Sequence, residues 1–561
     1  MKILITQLMR MGDVLQSTPL FRALRHQYPG ATIDVLARNL GRMVLERNPD
    51  INGITVYDED RMFQDMKSQD ADKLLDAYEI ADGYIRGIRE GGYDRVYNIT
   101  HSIASAMLLK LAGVPEVVGA HLSDDWRFVL RGGWTNYFFT SVLHRDYNAL
   151  NFCDITRNFA DPSPLRPKVV FDVRDEDRQF IDALLAENGI GQNDTLVCLQ
   201  LGASEERKRW PVDYFATLSK ELVERFGARL FLAGVEREAH LGEAFQRRSA
   251  VPAVPLFGKT TLPQLAALLE RCSVLVTNDT GTMHVAAAVE CPVALVSVGY
   301  VHFRETGPYG SGHCAIEARR EHLGRVDDPH GRVDRHTIRP EHVLKAVELL
   351  MQSDAYDPVP QIVDSHSFSA VELHMSRFAP DGCLEWYPVL RRPMTLTNML
   401  RMAYRAMWLE TFGHNTSDRA EKESLASLLW HHSPGGDAQI ESWRLELQAV
   451  FDKLTETARH GVMLTEELLA MLRGGKITRR ARELVAEMVR LDEDIRIFGE
   501  LHDACKPLVM IARFERDNLE GADPMHLAEA TLRIYRDLLD RAQLVRAKVD
   551  RIADLWQEVH G

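Results

Sequence analysis

The chain has 561 residues, 45% hydrophobic and 26% charged, with a net charge of −14 at pH 7. That length suggests about three domains, and that composition excludes a disordered, collagen-like or disulfide-scaffold chain. Residues 1–370 hold 41 basic and 50 acidic side chains, and residues 371–561 hold 26 and 31. Neither part is a basic module, which argues against a nucleic-acid partner held by phosphate neutralisation.

The seven cysteines (Cys153, Cys198, Cys272, Cys291, Cys314, Cys383 and Cys505) are odd in number and form no CxxC pair. This is the usage of reduced thiols in a cytoplasmic protein. The opening MKILITQLMRMGD reads as a strand and its turn, not as a signal peptide, and no window approaches 18 uninterrupted apolar residues.

In chain order, apolar β-rich runs at 2–7, 32–37, 54–57 and 95–99 alternate with helical periodicity at 14–28, 73–89 and 102–112. Such alternation is the pattern of a parallel sheet with crossover helices. Residues 121–165 are less regular and carry an aromatic cluster, Trp126, Phe128, Trp134, Tyr137, Phe138 and Phe139. The proline-rich run 160–167 reads as a linker.

The alternation restarts with strands at 196–201, 229–233, 253–256, 273–277 and 293–298, and helices at 212–226, 236–248, 262–271 and 282–289. After 360, prolines punctuate a transition and strands are expected to disappear. Apolar residues at three- and four-residue spacing then predict a bundle of four to six helices with a break near Gly474 and Gly475. The expected division is a first Rossmann-like lobe at 1–165, a second at 166–360 and an all-helical accessory domain at 361–561.

Ligands of open α/β sheets bind beyond the carboxyl ends of the strands. Three loops there carry chemistry. Arg10-Met11-Gly12-Asp13 follows the first strand; Asp13 either caps the next helix or faces the cleft as a base for an acceptor hydroxyl, with Arg10 near the developing charge. Asn278-Asp279-Thr280-Gly281-Thr282-Met283-His284 opens a small-residue helix, whose free N–H groups suit a diphosphate; otherwise Asp279 and Thr280 merely cap it and His284 packs. Ser204 and Lys208 lie in a charged loop that either meets phosphate or is solvated. Glu236 and Glu238 follow the next strand and either hold a ribose diol or complement a helix dipole.

Together, Met11-Gly12-Asp13, Lys208-Arg209-Trp210-Pro211, Asn278–His284 and the weaker Ile338–Val343 run make residues 1–350 resemble the bacterial heptosyltransferases of glycosyltransferase family 9. The resemblance implies a GT-B fold of two Rossmann-like lobes facing a cleft, here followed by an all-α C-terminal domain. It implies inverting transfer of heptose from ADP-heptose to a hydroxyl of a lipopolysaccharide or other glycan acceptor. Asp13 would be the base. Ser204, Lys208, Asp279, Thr280, Gly281 and His284 would surround the diphosphate, and Glu236 or Glu238 would hold the ribose. No cofactor or metal is implied, since ADP-heptose is a substrate; His313, His322, His330 and His336 around Cys314 match no standard zinc spacing. The helical region, foreign to the usual family length, is open to homo-oligomerisation, a protein acceptor or peripheral attachment to the inner membrane. Two alternatives follow: a protein O-glycosyltransferase, and a non-catalytic nucleotide-sugar-binding assembly protein.

Overall fold

The computed structural model describes the chain except residues 69, 161–167, 299–301, 320–334, 353–360, 364–365, 415–416 and 475–478. The expected linker at 160–167, apart from its first residue, lies outside the described residues, as do His322, His330 and Gly475.

The first lobe is built on β1 (Lys2–Gln7), β2 (Thr32–Ala37), β3 (Gly53–Val56), β4 (Arg95–Asn98), β5 (Val117–Leu122) and β6 (Phe128–Arg131). Their order is β3-β2-β1-β4-β5-β6, parallel except for the final β5–β6 hairpin. The second lobe starts with β7 (Leu196–Gln200), β8 (Arg229–Ala233), β9 (Val254–Pro255), β10 (Val274–Asn278), β11 (Val293–Ser297) and β12 (Cys314–Ala318). These six strands are parallel, in the order β12-β11-β10-β7-β8-β9. Every residue of β7, β10 and β11 is buried, as expected where helices cover both faces of a parallel sheet.

Two departures from the sequence reading follow. The irregular 121–165 region contains β6 and the helix Gly133–Leu143, whose Trp134, Tyr137 and Phe138 pack into the core, while Trp126 stays exposed. The expectation that strands end at 360 is corrected by β13 (Ile362–Val363), β14 (Val371–Phe378), β15 (Leu384–Pro388) and β16 (Leu390–Arg391). The β14–β15 hairpin pairs antiparallel with β12 and carries the second sheet past its parallel edge. An unpaired β12 would expose a row of backbone donors and acceptors, which this hairpin satisfies.

Beyond residue 395 the described residues form helices: Leu396–Thr411, Asp418–Trp430, Asp437–Arg473, Arg479–Leu501, Lys506–Asp517 and Pro524–His560. The two 37-residue helices, Asp437–Arg473 and Pro524–His560, pack along one another. Gly461 lets Tyr535 lie against the facing backbone, where a Cβ would stand 2.5 Å from the ring. No helix among the described residues is long and apolar enough to cross a membrane.

This helical module grips both lobes. Arg405, 3% exposed, donates to both carboxylate oxygens of Asp381 at 2.9 and 2.8 Å and to the carbonyls of Ala149 and Leu384. Nearby, the fully buried Asp154 of the first lobe accepts from the Tyr309 hydroxyl of the second lobe at 2.5 Å and from Leu384 N–H of the hairpin at 2.9 Å. At the far edge of the first sheet, the Asn518 side chain accepts from Leu130 N–H at 2.8 Å and donates to Leu130 C=O at 2.9 Å. Its amide thus pairs with β6 as a further strand would. Phe412 and Trp408 meanwhile pack with tilted rings against Trp134 and Tyr137.

Removing one partner from a buried ion pair leaves the other charge without compensation. Arg405→Met should therefore lower stability by about 3–5 kcal/mol, read as a reduced midpoint in chemical denaturation. An unchanged midpoint would mean that Arg405 does not hold the junction.

Candidate active site

The β1 strand ends at Gln7, and its chain turns into the short helix Met11–Gln16. Arg10, not Asp13, occupies the N-cap position; Asp13 is the third helical residue, and its carboxylate folds back to accept Arg10 N–H at 3.2 Å. Burial pushes the Asp13 carboxyl above the usual carboxylate range. The Arg10 N–H and guanidinium oppose that shift, while Asp279 of the other lobe adds to it. Asp279 is likewise raised, chiefly by burial, with Lys208 and Arg10 opposing. Two carboxyls from different lobes therefore share one electrostatic neighbourhood, held there by Arg10 from the first lobe and Lys208 from the second. Lys208 is 4% exposed, with Nζ 3.9 Å from Glu205.

The lobes touch through glycine surfaces. A Cβ on Gly12 would stand 2.6 Å from Cδ2 of His284, and one on Gly281 would collide with the Met11 methyl. His284, one turn into the Gly281–Ala288 helix, is buried, and burial lowers its pKa to about 4. The ring is neutral at physiological pH, and its Nδ1 has no hydrogen-bond partner among the described residues. Thr280 precedes the helix without capping it by its side chain; its hydroxyl lies 3.3 Å from that of Thr277. Met283 N–H is taken by Thr280 C=O at 3.1 Å, and no side chain caps the N–H groups of Gly281 and Thr282 before it, which suits an anion there.

The fully buried Asn278 holds these loops together. Its Nδ2 donates to the carbonyls of Leu201 and Gly202 at 3.2 and 3.0 Å, and its Oδ1 accepts Trp210 N–H at 2.8 Å. Trp210 Nε1 in turn donates to Ile338 C=O at 2.6 Å. The three separate motifs of the second lobe are thus one hydrogen-bonded unit.

Between the lobes lies a cavity of about 560 Å³, lined by Met11, Arg47, Gln200, Glu238, Thr261 and Thr282 among others. Glu238 is half-buried, and its carboxylate accepts Val235 N–H at 3.2 Å beside Gly202 and Gly234. Glu236 and Ser204 are exposed and do not line the cavity. Gln200 was not anticipated from the sequence; the signal for it was a polar residue closing an otherwise apolar strand. Among the described residues no group of three His, Cys, Asp or Glu side chains is arranged to hold a metal ion.

Two Rossmann-type lobes with a helix N-terminus and paired charges at their cleft make a fold of GT-B type. A glycosyltransferase family 9 structure from Veillonella parvula shares this fold, with a TM-score of 0.51 and 21% identity over 62% of this chain and 97% of its own. Residues 83–328 match the model of glycosyltransferase family 9 (heptosyltransferase), and the chain carries a domain of that family. It is 29% identical to lipopolysaccharide heptosyltransferase 2 of Escherichia coli K12 over 324 residues, 52% of this chain and 81% of that protein. It is 28% identical to lipooligosaccharide heptosyltransferase 2 of Haemophilus ducreyi over 305 residues, 53% and 83% of the two chains. The family match ends at residue 328, so the hairpin and the helical module lie outside it.

Asn278→Ala would leave Trp210 N–H and the 201–202 carbonyls without their buried partner. The expected cost is about 1–3 kcal/mol for each group left unpaired, read by chemical denaturation. Nucleotide affinity should fall with it; full retention of both stability and affinity would remove Asn278 from its role.

Proposed function

We propose that this protein is an inverting glycosyltransferase that moves heptose, or a closely related sugar, from ADP-heptose to a hydroxyl of a lipopolysaccharide-type glycan. The observation that carries this reading is the convergence of Asp13 and Arg10 with Lys208, Asp279 and the Gly281 helix end across one cleft. The names of the relatives supply the donor sugar and the acceptor class.

In the proposed reaction Asp13 takes the proton of the acceptor hydroxyl. The oxygen forms its bond to the anomeric carbon from the face opposite the diphosphate, and the bond from that carbon to the diphosphate breaks. ADP leaves with its negative charge met by Lys208, Arg10 and the N–H groups at Thr280–Thr282. Glu238, in the cavity, is the better placed of the two glutamates to hold the ribose diol. Positive side chains and a helix terminus supply the charge stabilisation this route needs. Its setting is the cytoplasm, which suits seven free, buried thiols.

The base works only as a carboxylate. Because burial raises the Asp13 pKa, activity should fall as pH drops through that raised value, with unit slope in log kcat/KM. Asp13→Asn should cut transfer about 10²–10⁴-fold, removing this limb while leaving ADP affinity within about threefold of wild type. Label from ADP-heptose should appear in a glycolipid fraction. A variant that still transfers at wild-type rate would end the assignment of Asp13, and label appearing only on protein would move the acceptor to that class.

A further inference from the structure

Among the polar side chains that line the cavity between the lobes and that the reaction outlined above does not use is Gln200. In the second sheet β7 lies between β10 and β8. Gln200, the last residue of β7, therefore stands between the Asn278–Thr282 turn that follows β10 and the Gly234–Glu238 turn that follows β8. Its side chain is 5% exposed and lines the cavity together with Thr282 and Glu238. The Thr282 hydroxyl donates to Gln200 Oε1 over a long 3.4 Å contact. No hydrogen bond among the described residues engages Nε2, so a donor is left at the cavity wall. A ligand that fills this space must satisfy that donor, because a donor buried without a partner is costly.

We infer that Gln200 contacts the nucleotide, its Nε2 donating to an oxygen where the diphosphate joins the ribose. This rests on the reading of the cleft as a nucleotide-sugar site, in which the helix end of Gly281 meets the diphosphate and Glu238 the ribose. The residue midway between those two turns meets the group midway between those two parts of the ligand. Phosphate and ester oxygens there only accept hydrogen bonds, which matches the outward NH₂. A carboxylate of the same length would instead bring negative charge against the diphosphate.

The test is calorimetric titration of ADP and of adenosine into the full chain and into Gln200→Leu, Gln200→Glu, Thr282→Val and the Thr282→Val/Gln200→Leu double variant, each checked for folding by circular dichroism. Gln200→Leu should weaken ADP binding about threefold to tenfold. Gln200→Glu should weaken it more, and should weaken ADP more than adenosine. The double variant should bind ADP less tightly than Thr282→Val alone. If both single Gln200 variants bind ADP within twofold of wild type, the inference falls. It also falls if the double variant equals Thr282→Val, for Gln200 would then only support the threonine. If wild-type protein binds neither ADP nor adenosine, the nucleotide reading of the cleft fails, and the role of Gln200 fails with it.

Discussion

One buried amide, that of Asn278, sets the geometry on which the second lobe's site depends. Its side chain reaches from the end of β10 to the backbone beyond β7 and to the N–H of Trp210. Without it, the charged loop that carries Lys208 would have no fixed relation to the helix that starts at Gly281. Burying an amide is favourable only when its hydrogen-bonding groups are matched, and matching them specifies one arrangement of three loops. The site's electrostatics inherit that order. Lys208 can oppose the raised pKa of Asp279 only because both are brought into the same dry volume.

A second buried polar centre lies where the lobes and the helical module meet. Arg405 neutralises Asp381 and also reaches Glu385 at 3.3 Å, while backbone carbonyls from two other segments complete its donor set. Such a centre adds little net stability over an apolar one, yet it tolerates few alternative packings. It fixes the seat of the module against Ala149 of the first lobe and the hairpin that extends the second sheet. The relation of Asp13 to Asp279 across the cleft is thereby supported from behind as well as by the contact of Gly12 with His284.

Much of this was legible in the sequence where the signal is local. Runs such as those of β7 and β10 are apolar up to their last residues because helices cover both faces, and the turns after them stand out as small polar interruptions. Asp13, Lys208 and the 278–284 turn were found that way. What escaped depends on partners far along the chain. The β14–β15 hairpin is short, flanked by prolines, and becomes a sheet only against β12. The choice between Glu236 and Glu238 rests on which carboxylate faces the cavity; both fit the spacing, but only burial separates them. Gln200 carries no local signal of its own beyond a polar strand end; only the sheet order sets it between the turns that follow β10 and β8.

The way the module meets the sheets has a consequence for self-association. Open sheet edges are where chains of one kind add to each other. Asn518 occupies the bonds that β6 would offer at Leu130, and Arg405 binds the backbone of β15 at Leu384. Among the described residues, the other edges of the two large sheets are β3 and β9, four and two residues long, the second ending in a proline that has no N–H to offer. The two large sheets thus present little strand for another copy to extend, and side chains of the helical module occupy backbone groups at the edges it covers.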